Sequence, residues 1–590
     1  MSNSTATFLG RDKCLAEYFE PVSFNKGALI FREGDEADCF YVIDDGVVAI
    51  QHEREELDSD TVLGFVGRSE VLGELALLDQ KPRSASAYAH TAVQARRFDF
   101  THQEAMARER PQELITLLSY LGKQAALKLR QANARLADAL GNETDADVDR
   151  MVARAQAAYP ILTDWPEERM DSLLEEIAST FAAQAGPLAE QTVQVTRMGN
   201  VPDKTLKNRM ASVGVFRHLA GRKGAGLLSR NEREVSEWAA PVGVVFGLIP
   251  VTNPVATAIF KTLICLKSRN ALILSFHRST RELGDTFGRL LLPILQHHGA
   301  PPDLVQWVRD RNSRKKTEMF FRHSGVSLIL ATGGSSMVKA AYSSGRPAIG
   351  VGPGNAPALV CSDADVVAAA SSIVLSKSFD NGLICGSEHN LVAVEAVYQP
   401  LIQALENAGA AVLDDAETRR FLQYACDESQ TSLSRKTIGV DAQTLAEAAG
   451  ITRPHPIRVM VVPTQGIAAN SVMAREKMAP VLGLFRVADE AAGLEASLRL
   501  LEIQGKGHTA VIHSQHPAWI DRFASLMPAS RILVNSPATQ GVIGFTTGLV
   551  PSFTLGCGTF GGNSTTDNVS YDHLLNIKRL ARYLPPTQPL

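Results

Sequence analysis

Apolar and polar positions change period along the 590 residues of this chain. From about Phe24 to Phe100, short alternating or apolar runs at 28–31, 40–43, 47–51 and 94–98 each end near Gly, Asp or Asn, with turn signals at Gly34-Asp35 and Asp44-Asp45-Gly46. Short, regularly spaced strands of this kind predict an all-β roll or barrel. Then Leu114, Leu118, Leu121, Ala125, Leu129, Ala132, Leu136 and Leu140 recur every three or four residues, which predicts an amphipathic helix. A polar stop runs from Gly141 to Asp147 and is the best boundary candidate. Beyond it, helical stretches at 152–158 and 167–184 lead into apolar runs at 244–249, 271–275, 326–331, 358–360 and 391–394, with helical segments between most of them. That alternation predicts a parallel α/β sheet. The Pro-rich tail from Tyr583 to Leu590 reads as loose.

A chain this long exceeds one core, so at least two domains are expected. Hydrophobic content of 45% and charged content of 21% are those of an ordinary globular protein. A net charge of −4 and the lack of a long basic run argue against a nucleic-acid partner. Seven cysteines, an odd number without small-domain spacing, read as reduced cytosolic thiols. The first residues lack a signal-peptide pattern, and the longest apolar runs, such as 239–251, are broken by Pro and Gly. The expectation is a cytoplasmic protein with no membrane partner.

Candidate chemistry appears first between Gly73 and Ser86. A helical turn opening at Gly73-Glu74-Leu75 would aim free backbone N–H groups at an anion, and Arg83 would add a charged planar fork. Glu74 can accept a hydrogen bond from a ribose hydroxyl. The segment resembles the phosphate-binding cassette of the cyclic nucleotide-binding family, and the likeness extends to Gly27, Ile30, Gly34-Asp35, Tyr41 and Gly46. The resemblance implies that Glu74 binds the ribose 2′-hydroxyl and Arg83 the cyclic phosphate. Gly73, Leu75, Ser84 and the amides near Ala85 would complete the cradle. Cyclic AMP is the expected regulatory ligand, cyclic GMP the alternative, and a barrel that has lost its ligand the competing reading. No helix-turn-helix follows the barrel; α/β sequence does.

The second candidate is Cys385, in the glycine-flanked turn Phe379-Asp380-Asn381-Gly382-Leu383-Ile384-Cys385-Gly386. Other segments lie around it in order: Thr252-Asn253-Pro254, Ala331-Thr332-Gly333-Gly334-Ser335, Gly350-Val351-Gly352-Pro353-Gly354-Asn355, Glu476-Lys477-Met478, Gly507-His508-Thr509 and Leu555-Gly556-Cys557-Gly558. Each alone is a weak signal, but their joint order resembles the aldehyde dehydrogenase superfamily over residues 148–580. The closest likeness is to its CoA-acylating branch, including the aldehyde domain of bifunctional aldehyde–alcohol dehydrogenases.

The resemblance implies that Cys385 attacks the aldehyde, with Asn253 and the Cys385 N–H holding the oxyanion. It implies that His508 helps deprotonate the CoA thiol, and that Cys557 packs without chemistry. Thr332, Gly333, Gly334, Glu476 and Met478 would hold the dinucleotide, with Glu476 on the nicotinamide ribose. His277 and Arg278 would lie near the adenosine ribose; NAD is expected, with NADP the alternative because Arg278 could read a 2′-phosphate. The Cys385 pKa is expected to be lowered by local amides rather than by a metal. Gly350 stands at the position matching the general-base Glu of hydrolytic members, which favours CoA over water as acyl acceptor.

The expected organisation is a cyclic nucleotide-binding β-roll with its C-terminal helix over 1–142, a Rossmann-like NAD-binding domain over 143–352, a catalytic α/β domain over 353–550, and a segment over 551–590 returning to the NAD-binding domain. The expected function is oxidation of a small aliphatic aldehyde with CoA and NAD⁺ to acyl-CoA and NADH, akin to acetylating acetaldehyde dehydrogenase. Nucleotide control would run through the helix at 114–140, and the protein would be a homo-oligomer. The alternatives are a hydrolytic dehydrogenase giving the free acid and a non-catalytic cyclic-nucleotide-responsive signalling protein.

Overall fold

Two antiparallel four-stranded sheets form from the short strands of the first stretch. One has the order Phe19–Phe24, Val93–Asp99, Cys39–Asp45, Val71–Leu72, and the other Leu29–Phe31, Ser86–Ala89, Val48–His52, Thr61–Val66. The computed structural model describes residues 16–52, 61–67, 70–140, 145–231, 235–309, 313–427 and 431–583. Cys14, residues 141–144 of the polar stop and the tail beyond Tyr583 lie outside them. The chain divides into two units, Met1–Asn142 and Glu143–Leu590.

In the first unit both faces of Cys39–Asp45 are covered. Phe40 and Val42 pack with Phe19, Phe98, Leu117 and Leu121, while Tyr41 and Ile43 pack with Val48, Leu72 and Ala87. The period of two thus sorts one strand's residues between two cores. Gly46 turns the chain at φ 96°, and a Cβ there would stand 2.3 Å from the Ala92 carbonyl oxygen, so only glycine fits. The amphipathic pattern becomes one helix, Pro111–Leu140, whose Leu114, Leu117 and Leu121 enter the first of these cores. Its opening proline has no N–H to leave unsatisfied.

The second unit is built on parallel sheets. Five strands run in the order Val305–Trp307, Ala271–Phe276, Val244–Ile249, Leu328–Ala331, Ala348–Gly350, all parallel. This doubly wound order reverses direction beside Val244–Ile249, and ligands of such sheets bind at the strands' carboxyl ends near that switch. Seven further parallel strands follow the order Ala410–Val412, Val459–Pro463, Val481–Val487, Glu388–Val394, Ala356–Val360, Gly507–His513, Ala529–Val534. Leu575–Leu580, Ser236–Pro241 and Gly226–Arg230 form an antiparallel sheet. Central strands are buried throughout, as in Glu388–Val394, because helices cover both faces. Among the described residues no helix is long and apolar enough to cross a membrane.

Candidate active site

The sharp turn after strand Val244–Ile249 places Asn253 just ahead of helix Pro254–Lys267, with no side-chain cap on that helix. Its amide is oriented from below. The Lys207 ammonium donates to Asn253 Oδ1 and also to the Asp380 carboxylate. An ammonium can only donate, so the amide oxygen is fixed toward Lys207 and the NH2 group is left to face elsewhere. Asn253 lines a cavity of about 620 Å³ together with Cys385, Thr332, Gly333, Gly334, Glu476, Met478, His277 and Arg278.

Cys385 sits on a turn that is fixed at its start. Asp380 and Asn381 adopt left-handed backbone conformations, with φ of 48° and 55°. The buried Asp380 carboxylate pairs with Lys207 and, at 3.0 Å, with Lys204; it also accepts the Asn200 N–H at 3.0 Å. At the other end, His389 Nδ1 accepts the Lys477 N–H at 2.9 Å, so its Nε2 carries the proton that faces the Cys385 carbonyl at 3.4 Å. Gly354 passes so close that a Cβ would lie 1.8 Å from that carbonyl oxygen.

His508 Nε2 is 3.2 Å from Cys385 Sγ, and His508 Nδ1 is 2.8 Å from Thr509 Oγ1. Burial pushes the Cys385 thiol up to about 12 and the His508 imidazole down to about 3. The site therefore holds a neutral thiol against a neutral imidazole. This corrects the expectation of a lowered thiol pKa: Arg531 and a backbone hydrogen bond act downward, but burial, Glu476 and Cys557 outweigh them.

Glu476 Oε1 accepts the Gly354 N–H at 2.9 Å, and burial raises its carboxyl to about 7. Among the described residues it is the single carboxylate lining the cavity. Gly350 is not among the lining residues. A Cβ on Gly350 would run into Val338 at 2.6 Å and Tyr342 at 2.8 Å, and its N–H donates to the Tyr342 hydroxyl at 2.8 Å.

The residues present fit a dinucleotide. The Thr332 hydroxyl is buried without a partner, and Cβ atoms on Gly333 or Gly334 would meet open space. His277 and Arg278 follow the end of strand Ala271–Phe276, and Ser313 and Arg314 line the same cavity.

In the barrel, the cassette helix is Leu75–Asp79, with Glu74 at its N-cap. Gly73 takes φ 82°, and a Cβ there would be 2.4 Å from Arg83 Nη1. Arg83 is buried over the Phe31 ring, donating to the Gly73 and Cys39 carbonyls at 3.1 and 2.8 Å, while its Nε has no acceptor. The buried Glu74 carboxylate is held by Lys128 of helix Pro111–Leu140 at 2.7 Å, and Lys128 also donates to the Val71 carbonyl. Ala85 is buried, whereas Leu75 and Ser84 are exposed.

Residues 130–554 match the aldehyde dehydrogenase family. The chain belongs to that family. Residues 21–110 match the cyclic nucleotide-binding domain. Aldehyde-alcohol dehydrogenase 2 of Entamoeba histolytica is 36% identical over 448 residues, which cover 74% of this chain and 51% of that relative. The chain thus spans about half the length of such bifunctional relatives. An acetylating aldehyde dehydrogenase of Geobacillus thermoglucosidasius superposes with a TM-score of 0.73 at 37% identity, covering 76% of this chain and 98% of that one. A propionaldehyde dehydrogenase of Rhodopseudomonas palustris, solved with bound CoA and an acylated cysteine, gives a TM-score of 0.67 at 25% identity and covers 74% and 96% of the two chains.

The fold brings Cys385, Asn253, Glu476, Met478 and the Thr332-Gly333-Gly334 turn together around one cavity, with His508 against Cys385. Sequence reasoning missed Lys204, Lys207 and Asp380. It also missed Arg531, whose guanidinium donates to the Gly556 and Gly507 carbonyls at 2.6 and 3.3 Å. No local pattern marks these residues, because their partners lie far away along the chain.

Proposed function

We propose that this protein is a CoA-acylating aldehyde dehydrogenase, converting a small aliphatic aldehyde, CoA and NAD⁺ to acyl-CoA and NADH. The observation that carries the proposal is the Cys385–His508 contact of 3.2 Å beside a cavity whose described lining residues offer one carboxylate, itself bonded to the Gly354 N–H. With His508 Nδ1–H donating to Thr509, Nε2 is free to receive the thiol proton as sulfur adds to the aldehyde carbon. Negative charge then develops on the carbonyl oxygen, where the Asn253 NH2 and the Cys385 N–H would stabilise it. The bound nicotinamide supplies the hydride acceptor, and the acyl group remains on Cys385 as a thioester. Attack by the CoA thiol, with His508 taking its proton, forms one thioester bond and breaks another, so the transfer is nearly thermoneutral. Water would need a base, and Glu476 is already engaged.

The test is NADH formation from acetaldehyde or propionaldehyde with and without CoA. Turnover that requires CoA and ends in acyl-CoA supports the assignment; equal rates without CoA, giving free acid, overturn it. Cys385→Ala is expected to abolish turnover.

The regulatory reading rests on the barrel. Lys128 holds one oxygen of the Glu74 carboxylate, so a ribose hydroxyl arriving at that oxygen would compete with a contact between the cassette and helix Pro111–Leu140. Cyclic AMP is the favoured ligand. Calorimetric titration that detects no binding, or binding unchanged in Arg83→Ala, reduces the barrel to scaffold. A homo-oligomeric assembly fits the exposed Leu227, Trp238 and Leu580 of the three-stranded sheet, and light scattering measures it directly.

A further inference from the structure

We propose that Glu176, His297 and His298 form a binding site for a borderline divalent transition-metal ion of the Zn²⁺ class, separate from the catalytic cavity. Glu176 lies on helix Glu167–Ala183; His297 ends helix Arg281–His297, and His298 is its C-cap. His297 Nδ1 and His298 Nε2 each stand 2.9 Å from the same oxygen, Oε2 of Glu176. The three donor atoms all lie within 4.8 Å of one another. None of the three residues lines the dehydrogenase cavity.

The donor set selects the ion. Two imidazoles and one carboxylate suit Zn²⁺ and its neighbours among the first-row metals, whereas Mg²⁺ and Ca²⁺ prefer all-oxygen sites. With metal–ligand bonds of about 2.0–2.2 Å, tetrahedral donors sit roughly 3.3 Å apart. The nitrogens need to move only a few tenths of an ångström from the shared oxygen to admit an ion. His297 is largely exposed, so water can complete the shell and the ion has an open entry path.

Two features prepare the site. The imidazoles stand at a helix C-terminus, where unpaired carbonyls favour positive charge. The Arg169 guanidinium donates to the His298 carbonyl at 2.8 Å and fixes the backbone there. The two helices already pack through Phe181 and Phe287, stacked with centroids 4.7 Å apart. An ion on Glu176 and the histidines would tie the same helices at their surface ends, so the expected role is a stabilising clamp rather than a catalytic one.

The test uses tag-free, full-length protein stripped with a chelator and titrated calorimetrically with ZnCl2, alongside thermal melts in ZnCl2 and MgCl2. The expected result is a saturable Zn²⁺ site with micromolar or tighter affinity, a higher melting temperature with Zn²⁺ and none with Mg²⁺. In His297→Ala/His298→Ala and in Glu176→Gln, affinity should fall about tenfold or more, the order of loss seen when groups supporting a metal site are removed. Cysteines also bind Zn²⁺, so Co²⁺ provides a second reading: the site should give visible d–d bands without the sulfur-to-cobalt charge-transfer band of a thiolate site. Zn²⁺ affinity unchanged in the double variant, or Co²⁺ spectra showing thiolate ligation only, overturns the proposal.

Discussion

The neutral thiol–imidazole pair makes a prediction that separates this active site from one with a standing thiolate. With the Cys385 thiol pushed up to about 12, the thiolate fraction at pH 7.5 is about 3 × 10⁻⁵. An ordinary thiol of pKa about 8.5 is roughly 10% ionised at that pH, so Cys385 carries on the order of 3,000-fold less thiolate. Iodoacetamide reacts with thiolate, and its reaction at the Cys385 peptide can be followed by mass spectrometry. The rate should rise about tenfold per pH unit from pH 6 to pH 9 with no plateau, as ionisation of a group far above its range requires. His508→Ala removes only a neutral hydrogen-bond partner, so the rate at pH 7.5 should change by less than about tenfold. Bound NAD⁺ brings a cationic ring toward the sulfur and should accelerate alkylation. A plateau reached below pH 7, lost in His508→Ala, would mean a thiolate–imidazolium ion pair and would refute the electrostatic account.

Other perturbations read other parts of the molecule. Lys207→Met leaves Lys204 paired with Asp380 but frees the Asn253 amide to turn; kcat should fall by about 10²–10³, the cost of losing one oxyanion donor, with little change in aldehyde KM. An unchanged kcat would show that the amide needs no anchor. Glu476 ionises near pH 7, and its carboxylate accepts ribose hydroxyls better than its acid does, so NADH affinity measured by fluorescence should rise from pH 6 to pH 8. Glu476→Gln should flatten that profile and weaken binding about tenfold or more. Lys128→Met removes a competitor for Glu74 whose ion pair is worth up to about 1 kcal/mol, so cyclic AMP should bind a few-fold tighter. Weaker binding would place Lys128 among the ligand's contacts instead.

The parts of this structure legible in the sequence are those set by local period. The run at 40–43 lies in strand Cys39–Asp45, and the pattern at 167–184 becomes helix Glu167–Ala183, because burial on one side repeats along each element. Helix Asp145–Ala158 begins earlier than the apolar run at 152–158, since its first turns offer the core only Val148. The three-residue strand Ala410–Val412 carries too few positions to show any period. The active-site motifs were readable as an ordered set, but their geometry was not. Cys385 and His508 meet across 123 residues, and Lys207 reads as the polar side of a helix although it is fully buried against Asp380.

Those buried charges explain how a site with an un-ionised nucleophile can still favour reaction. Lys204 and Lys207 share the Asp380 carboxylate, Asp203 accepts the Asp380 N–H at 2.7 Å beside them, and burial lowers Lys204 to about 8. In the resting state that field meets a neutral thiol and a neutral carbonyl and does little. In the proposed addition of sulfur to carbon, negative charge appears on the carbonyl oxygen beside an amide whose orientation Lys207 has already set. The interaction is therefore stronger in the transition state than with bound substrate, which is the condition for lowering the barrier rather than merely tightening binding. Asp380, in a left-handed conformation, meets both lysines at the start of the turn that delivers Cys385 to His508.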